Sequence, residues 1–213
     1  RAKNSNDLTQ PAILKMMAMG GEGTIIERLK QLHIVPLAIS YEYDPCDYLK
    51  AREYQLRRDL PYWKKTAEDD LESMLVGIKG YKGHIFYKCA PCIDEWLDTV
   101  DEDLPKNKLF DAIAAHIDHE IHCNYKLYPI NYVALDMIQD TRVYEEYYTA
   151  EDYQNFNDYL NGQIEKIEIE NRDDKFLRTC FLTQYAYPAK NYIAASSENG
   201  RFKSLLNRLT FKK

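Results

Sequence analysis

Hydrophobic residues recur at helical spacing along most of the chain, and only two short segments are better suited to strands. Helices are predicted near 8–17 and 25–32, over 48–58, 62–79 and 105–125, and two or three more over 130–190. The strand segments are 34–41, which we expect to be mostly buried, and 84–88, with Pro36 tolerated at the entry of the first. The pattern predicts an α/β chain with few strands and a predominance of helix.

Local signals refine the first two helices. Asp7 followed three residues later by Gln10 predicts a helix start, and Gly20-Gly21 predicts its end. Glu22-Gly23-Thr24 resembles part of a phosphate-binding loop, but no Arg or Lys follows it directly. We therefore predict that it is a turn between two helices.

Two strands are too few for a stable sheet, which normally needs three or more. Because helices separate the predicted strands, they are expected to belong to a mostly parallel sheet. We therefore expect the remaining strands to be absent from this chain or hidden in segments with helical patterns.

The charges are distributed unevenly. The 213 residues include 34 acidic and 28 basic side chains, a net charge of −6, which argues against a general nucleic-acid binder. Residues 101–170 carry sixteen acidic and five basic groups, whereas 171–213 carry three and nine. No apolar run approaches the roughly 18 residues of a membrane span. Tyrosine, at 18 residues, is unusually frequent and indicates half-buried packing surfaces.

The C-terminal segment predicts a basic amphipathic helix, because Phe202, Leu205, Leu206 and Leu209 share one helical face. Such a helix is able to lie on an anionic membrane surface, and an ordinary terminal helix packed on the core is the alternative. Its cationic residues are Arg201, Lys203, Arg208, Lys212 and Lys213.

The five cysteines form an odd set without a signal peptide, which favours reduced thiols in the cytosol. Cys89 and Cys92 form a C-x-x-C that fits a redox pair or half of a zinc site. The acidic residues after it disfavour a thiolate. We therefore favour two small apolar thiols at the end of a buried strand.

Three histidines, His116, His119 and His122, follow one another on a predicted helix. Neighbours three residues apart are able to share a metal, but a closed site needs further ligands. His116 borders the apolar face, whereas His119 and His122 are expected on the polar side. A solvated helix face is the favoured interpretation, and a zinc or thiol-redox module with Cys89 and Cys92 is the alternative.

The first residues are also suited to binding an anion. Arg1 and Lys3 precede a capped helix start, where a phosphate would be held by both cations and by the helix N-terminus. A frayed terminus is the competing interpretation.

Three segments carry a resemblance to a known family: Arg1 to Gln10, Leu14-Lys15-Met16, and above all Ile34 to Asp47. They resemble a bacterial branch of the glycerolipid acyltransferases, the lysophosphatidate-type enzymes. The similarity continues through 77–83 and covers most of the chain. It implies an α/β domain over 1–100, the C-terminal part of an acyltransferase domain, and a helical extension over 101–213.

The resemblance also implies roles for individual residues. Arg1 matches the arginine that binds the acceptor phosphate, with Lys3 assisting it, and Val35-Pro36 matches a family strand motif. The family's catalytic pair is a His followed five positions later by Asp. The residues at that distance from the five histidines are Ala38, Cys89, Ile121, Asn124 and Leu127, so the pair is absent. We therefore expect the C-terminal portion of an enzyme, cut within its phosphate-binding motif and inactive alone.

The function implied is transfer of an acyl group from an acyl-carrier-protein or coenzyme A thioester to a glycerol-phosphate or related lipid, in phospholipid biosynthesis. The implied location is the cytoplasmic side of the inner membrane, bound peripherally, without cofactor, metal or nucleic acid. A non-catalytic helical interaction domain is a further alternative.

Overall fold

The computed structural model describes residue 6 and residues 8–210, with side chains as far as 197. This part of the chain is mostly helical. In order, its elements are α1 (Pro11–Met17), α2 (Ile25–Lys30), β1 (Leu37–Tyr41), α3 (Asp47–Asp59), α4 (Ala67–Lys79), β2 (Ile85–Cys89), α5 (Asp94–Leu97), α6 (Lys106–Cys123), α7 (Pro129–Gln139), a 3₁₀ turn (Glu145–Tyr147), α8 (Ala150–Glu165) and α9 (Asp174–Thr210).

The chain divides into two compact units, each built from discontinuous segments. The first contains Ser40–Phe86 and Lys126–Lys190, and the second contains Leu8–Ile39, Tyr87–Tyr125 and the residues from Asn191 onward. Both units therefore contain residues from before and after residue 100.

The second unit forms its core from the apolar faces of α1, α2, α5 and α6. Leu29, Leu97 and Ile113 are completely buried there. The Thr24 hydroxyl accepts a hydrogen bond from the Glu27 backbone N–H, and the Glu27 carboxylate accepts one from that of Thr24, a capping box that begins α2. The predicted turn over 22–24 is confirmed.

The first unit packs α7, α8 and the first part of α9 around large apolar side chains. Phe156, Leu160, Leu177 and Phe181 have no exposed surface. Thr66 and Thr149 begin α4 and α8 through the same type of capping box. The first unit thus has a core of its own.

Within the described residues, β1 and β2 form one two-stranded sheet, and the strands are antiparallel. The expected mostly parallel sheet is therefore wrong for these two strands. The physical reason is that the chain between them folds back as α3 and α4 and returns in the opposite direction, so the segment before β1 pairs with the segment after β2.

The expected burial of the strands is also wrong. Along β1, Ala38 and Ser40 are buried while Leu37, Ile39 and Tyr41 are exposed, and every residue of β2 is exposed. One face of β1 therefore lacks a covering layer within the described part of the chain. The predominance of helix is confirmed, and Pro36 lies just before β1 as predicted. Asp7, the predicted cap of the first helix, lies outside the described residues.

Candidate functional site

The Val35-Pro36 motif is fixed by backbone hydrogen bonds within the second unit. The N–H of Ala90 donates to the carbonyl of Pro36 at 2.8 Å, and the N–H of Ile93 donates to the carbonyl of Ile34 at 3.0 Å. The Val35 side chain remains 47% exposed. The motif therefore lies on a rigid strand entry with its apolar side chain in contact with solvent.

An apolar row continues from this motif along the sheet. The Ala90–Pro36 bond and a bond from the Glu42 N–H to the His84 carbonyl define one register, in which Ile39 lies opposite Tyr87. Side chains that lie opposite each other share a face. We define the apolar row as Val35, Leu37, Ile39 and Tyr87, all exposed and all in the second unit.

A second constellation lies beside the strand entry. His33 Nδ1 is 2.6 Å from Asp94 Oδ2, and the Cys92 thiol lies close to both residues. One ligand atom from each of the three residues falls within 4.8 Å of the other two. The bond from His33 and, to a lesser extent, the nearby Cys92 thiol lower the pKa of Asp94.

Two segments hold this cluster in place. His33 lies in the turn that follows α2, three residues beyond Lys30. Its backbone is in the left-handed region, at φ 47°, a conformation in which His is enriched among non-glycine residues. Asp94 is the first residue of α5, and Cys92 precedes it by two. Asp94 Oδ1 is buried and has no hydrogen-bond partner among the described residues.

The Cys89–Cys92 pair differs from expectation because its strand is not buried. Cys89, at the end of β2, is exposed, and Cys92 is half-buried. The interpretation as two thiols at the end of a buried strand is therefore wrong. All five cysteines are free thiols.

The three histidines of α6 are placed differently from one another. His116 is buried and stacks on Trp96 with ring centroids 3.9 Å apart. His122 is also buried, which corrects its expected place on a solvated face, and it lies 3.4 Å from the Asn191 amide nitrogen. His119 lies 3.6 Å from the Cys123 sulfur. The cluster that includes Cys92 contains none of the three.

The first unit contains a buried carboxylate that the sequence analysis missed. Asp47 has no exposed surface, and its Oδ2 accepts hydrogen bonds from Tyr159 at 2.6 Å and Tyr185 at 2.7 Å. The backbone N–H of Tyr48 donates to Oδ1. Burial raises the pKa of Asp47 to about 6, and the two tyrosine hydrogen bonds oppose that rise. Two features of the sequence could have predicted this site: the two carboxylates in the turn from Asp44 to Asp47, and the abundance of tyrosines.

A cavity of about 410 Å³ lies between α3 and α4 in the same unit. Each of its four cations is already paired with a carboxylate: Lys50 with Asp44, Arg52 with Asp69, Arg57 with Glu53, and Lys65 with Asp70. The cavity therefore offers no unpaired cation to an anionic ligand.

The side chains of the remaining predicted site residues are not among those that the structure describes. Arg1, Lys3, Lys212 and Lys213 lie outside the described residues. The backbone at 201–208 belongs to α9, but the side chains of Arg201, Lys203 and Arg208 are likewise outside the description.

No protein-family model, curated protein or solved structure matches this chain.

Proposed function

We propose that this chain forms part of a lipid acyltransferase that moves a fatty acyl group from a thioester to a hydroxyl of a glycerol phosphate. The observation that carries the proposal is the apolar row, which begins at the Val35-Pro36 motif and stays exposed along the sheet. Exposed apolar side chains in a contiguous row are typical of surfaces that bind apolar ligands or partners. We assign this row to the acyl chain.

The acceptor end of the substrate needs a different chemistry. Arg1 and Lys3, which carry the family resemblance, are assigned to the acceptor phosphate through charge-assisted hydrogen bonds. Such contacts position the acceptor but do not perform the reaction.

The reaction requires a general base. A histidine removes the proton of the acceptor hydroxyl, whose oxygen attacks the thioester carbonyl carbon. The carbon–sulfur bond then breaks, and the thiol leaves with a proton. Because no histidine in the printed sequence has Asp five positions later, these 213 residues are predicted to be inactive alone.

The decisive assay compares two polypeptides with lysophosphatidate as acceptor and acyl carrier protein or coenzyme A thioesters as donors. Residues 1–213 alone should give no transfer, whereas the polypeptide encoded by the complete reading frame that contains them should be active. Activity of 1–213 alone would contradict the missing-base argument. Inactivity of the longer polypeptide with both donors would overturn the proposed function.

Variants of the active polypeptide test the two assigned surfaces. Arg1→Ala and Lys3→Ala should raise KM for the acceptor with a smaller effect on kcat, and Ile39→Asp should impair long acyl donors more than short ones. Leu32→Asp is the matched control, because Leu32 lies in the same unit outside the row and is 47% exposed, against 42% for Ile39. An equal loss with Leu32→Asp would remove the role of the apolar row.

Membrane binding is assigned to the basic tail. No described helix has the length and apolar content that a membrane crossing requires. Each Lys or Arg near an anionic bilayer contributes about 1 kcal/mol of attraction. Co-sedimentation with vesicles containing anionic phospholipid should therefore be salt-sensitive. Replacing the five tail cations with Gln should abolish it, and undiminished binding would contradict the assignment.

A further inference from the structure

We propose that His33, Cys92 and Asp94 form a zinc-binding site beside the entry of β1. The three side chains place a nitrogen, a sulfur and an oxygen donor within 4.8 Å of one another. This assignment is independent of the acyltransferase proposal and differs from a ligand set of Cys89, Cys92 and the histidines of α6.

The donor set selects the metal. Thiolate and imidazole ligands suit zinc, whereas magnesium and calcium prefer oxygen ligands. Three protein ligands leave one tetrahedral position for water or another ligand, as in open zinc sites. The partial exposure of all three residues gives an ion a path from solvent.

The hydrogen bonding of Asp94 also points to a cation. Oδ2 is engaged by His33, while Oδ1 is buried without a partner among the described residues. A buried acceptor without a partner costs free energy. A bound cation beside this carboxylate would compensate its charge and take up its free coordinating capacity.

Only small movements are needed to admit the ion. With zinc–ligand distances near 2.0–2.3 Å, ligand atoms at the corners of a tetrahedron lie about 3.3–3.8 Å apart. His33 Nδ1 and Asp94 Oδ2, now 2.6 Å apart, would separate by roughly 1 Å as the ion replaces the proton they share.

The backbone prepares the site for binding. The bond from the Ile93 N–H to the Ile34 carbonyl joins the residue after His33 to the residue between Cys92 and Asp94. The ligands therefore come from two segments already held side by side, which reduces the ordering cost of binding.

Zinc binding should release protons and stabilise the fold. The Cys92 thiol must lose its proton, and Nδ1 of His33 must be free of one, so affinity should rise with pH. Since the site forms only in the folded chain, zinc at 100 times its Kd should stabilise the fold by about 2.7 kcal/mol.

The test is a titration of purified, reduced, metal-free chain with zinc against a chromophoric chelator, at pH 7. We expect one zinc per chain. Cobalt in place of zinc should give a thiolate-to-metal charge-transfer band and the intense d–d bands of tetrahedral coordination. Absence of stoichiometric binding, or octahedral cobalt without the thiolate band, would overturn the site.

Ligand variants and matched controls identify the donors. Cys92→Ser and His33→Asn should weaken zinc binding about 100-fold or more, since losing a residue that only orients a ligand already costs about 10–100-fold. Asn is chosen because it tolerates the left-handed backbone at position 33. Circular dichroism of each metal-free variant verifies that it folds, and Asp94→Asn provides a third, isosteric ligand test.

Cys89→Ser and His84→Asn are the controls and should leave affinity unchanged. His84 forms an equivalent exposed pair with Glu42 at 2.7 Å, with a ring 83% exposed against 77% for His33. An equal loss from Cys89→Ser would show that a Cys89–Cys92 pair binds the metal, which would contradict the ligand set proposed here. An equal loss from His84→Asn would contradict it as well.

Discussion

Asp47 in the first unit and His116 in the second are both buried ionisable groups, yet they are accommodated in opposite ways. Asp47 is surrounded by donors, two tyrosine hydroxyls and a backbone N–H. His116 has no partner for its buried Nδ1 among the described residues and instead stacks on the Trp96 ring.

Burial favours the neutral form of both groups, so it moves their pKa values in opposite directions. It raises the pKa of Asp47 to about 6, whereas burial and the neighbouring His119 lower the pKa of His116 to about 4. Desolvation, the largest cause of both shifts, therefore makes the stability contributions of Asp47 and His116 respond oppositely to acid.

Loss of the Asp47 carboxyl should have the largest effect. Asp47→Ala leaves three donors without their acceptor, and at about 1–1.5 kcal/mol each the free energy of unfolding should fall by about 4 kcal/mol. Urea unfolding at pH 5 measures it. Glu165→Ala, at an exposed position that ends α8, is the control and should change stability by less than about 0.5 kcal/mol. Equal effects would show that the tyrosine network does not stabilise the fold.

The pH dependence of Asp47 should be nearly as large. Between pH 3.8 and about 6 the native carboxyl still holds a proton that the unfolded chain has released, so raising the pH destabilises the native state. The stability of the wild type relative to Asp47→Asn should therefore fall by roughly 3 kcal/mol between pH 3 and 7. A constant or increasing difference would contradict the raised pKa.

Local patterns predicted the helices well but not the long-range pairs. The amphipathic spacing predicted helices that the structure gives as α3, α4 and α6, because that periodicity is a property of neighbouring residues. The antiparallel pairing of Pro36 with Ala90 depends on how intervening helices turn the chain. The periodicity of neighbouring residues does not predict this reversal of chain direction.

The candidate sites illustrate the same limit. His33 and Asp94 are 61 residues apart, and Asp47 is 112 residues from Tyr159. Asp47 and Asp94 each begin a helix, and Tyr159 lies within one, so each has an ordinary local role. Only the tertiary fold brings the donors and the acceptors together. The C-x-x-C pattern did identify Cys92 as chemically notable, although His33 and Asp94 are its partners rather than the histidines of α6.

His116 should produce a pH dependence of the opposite sign. Between about pH 4 and 6.5 the unfolded chain binds a proton that the native imidazole does not, so acid destabilises the native state. The stability of the wild type relative to His116→Gln should fall by about 2 kcal/mol as the pH drops from 6.5 to 4. This figure is smaller than the pKa difference alone would give, because the imidazole keeps some contact with solvent. NMR titration should show a neutral His116 ring at pH 5, and a midpoint near 6.5 would contradict this prediction.

The smallest effect should come from a single hydroxyl of the network. Tyr159→Phe removes one donor to Asp47 and leaves the Gln163 amide, 2.6 Å from that hydroxyl, without its acceptor, so about 1 kcal/mol of stability should be lost. Because the Tyr159 bond lowers the pKa of Asp47, its loss should move the Asp47 pH transition above about 6. Tyr153→Phe, at an exposed position on the same helix, is the control and should change neither quantity. An unchanged or lower transition in Tyr159→Phe would show that the tyrosine hydroxyl does not stabilise the ionised carboxylate.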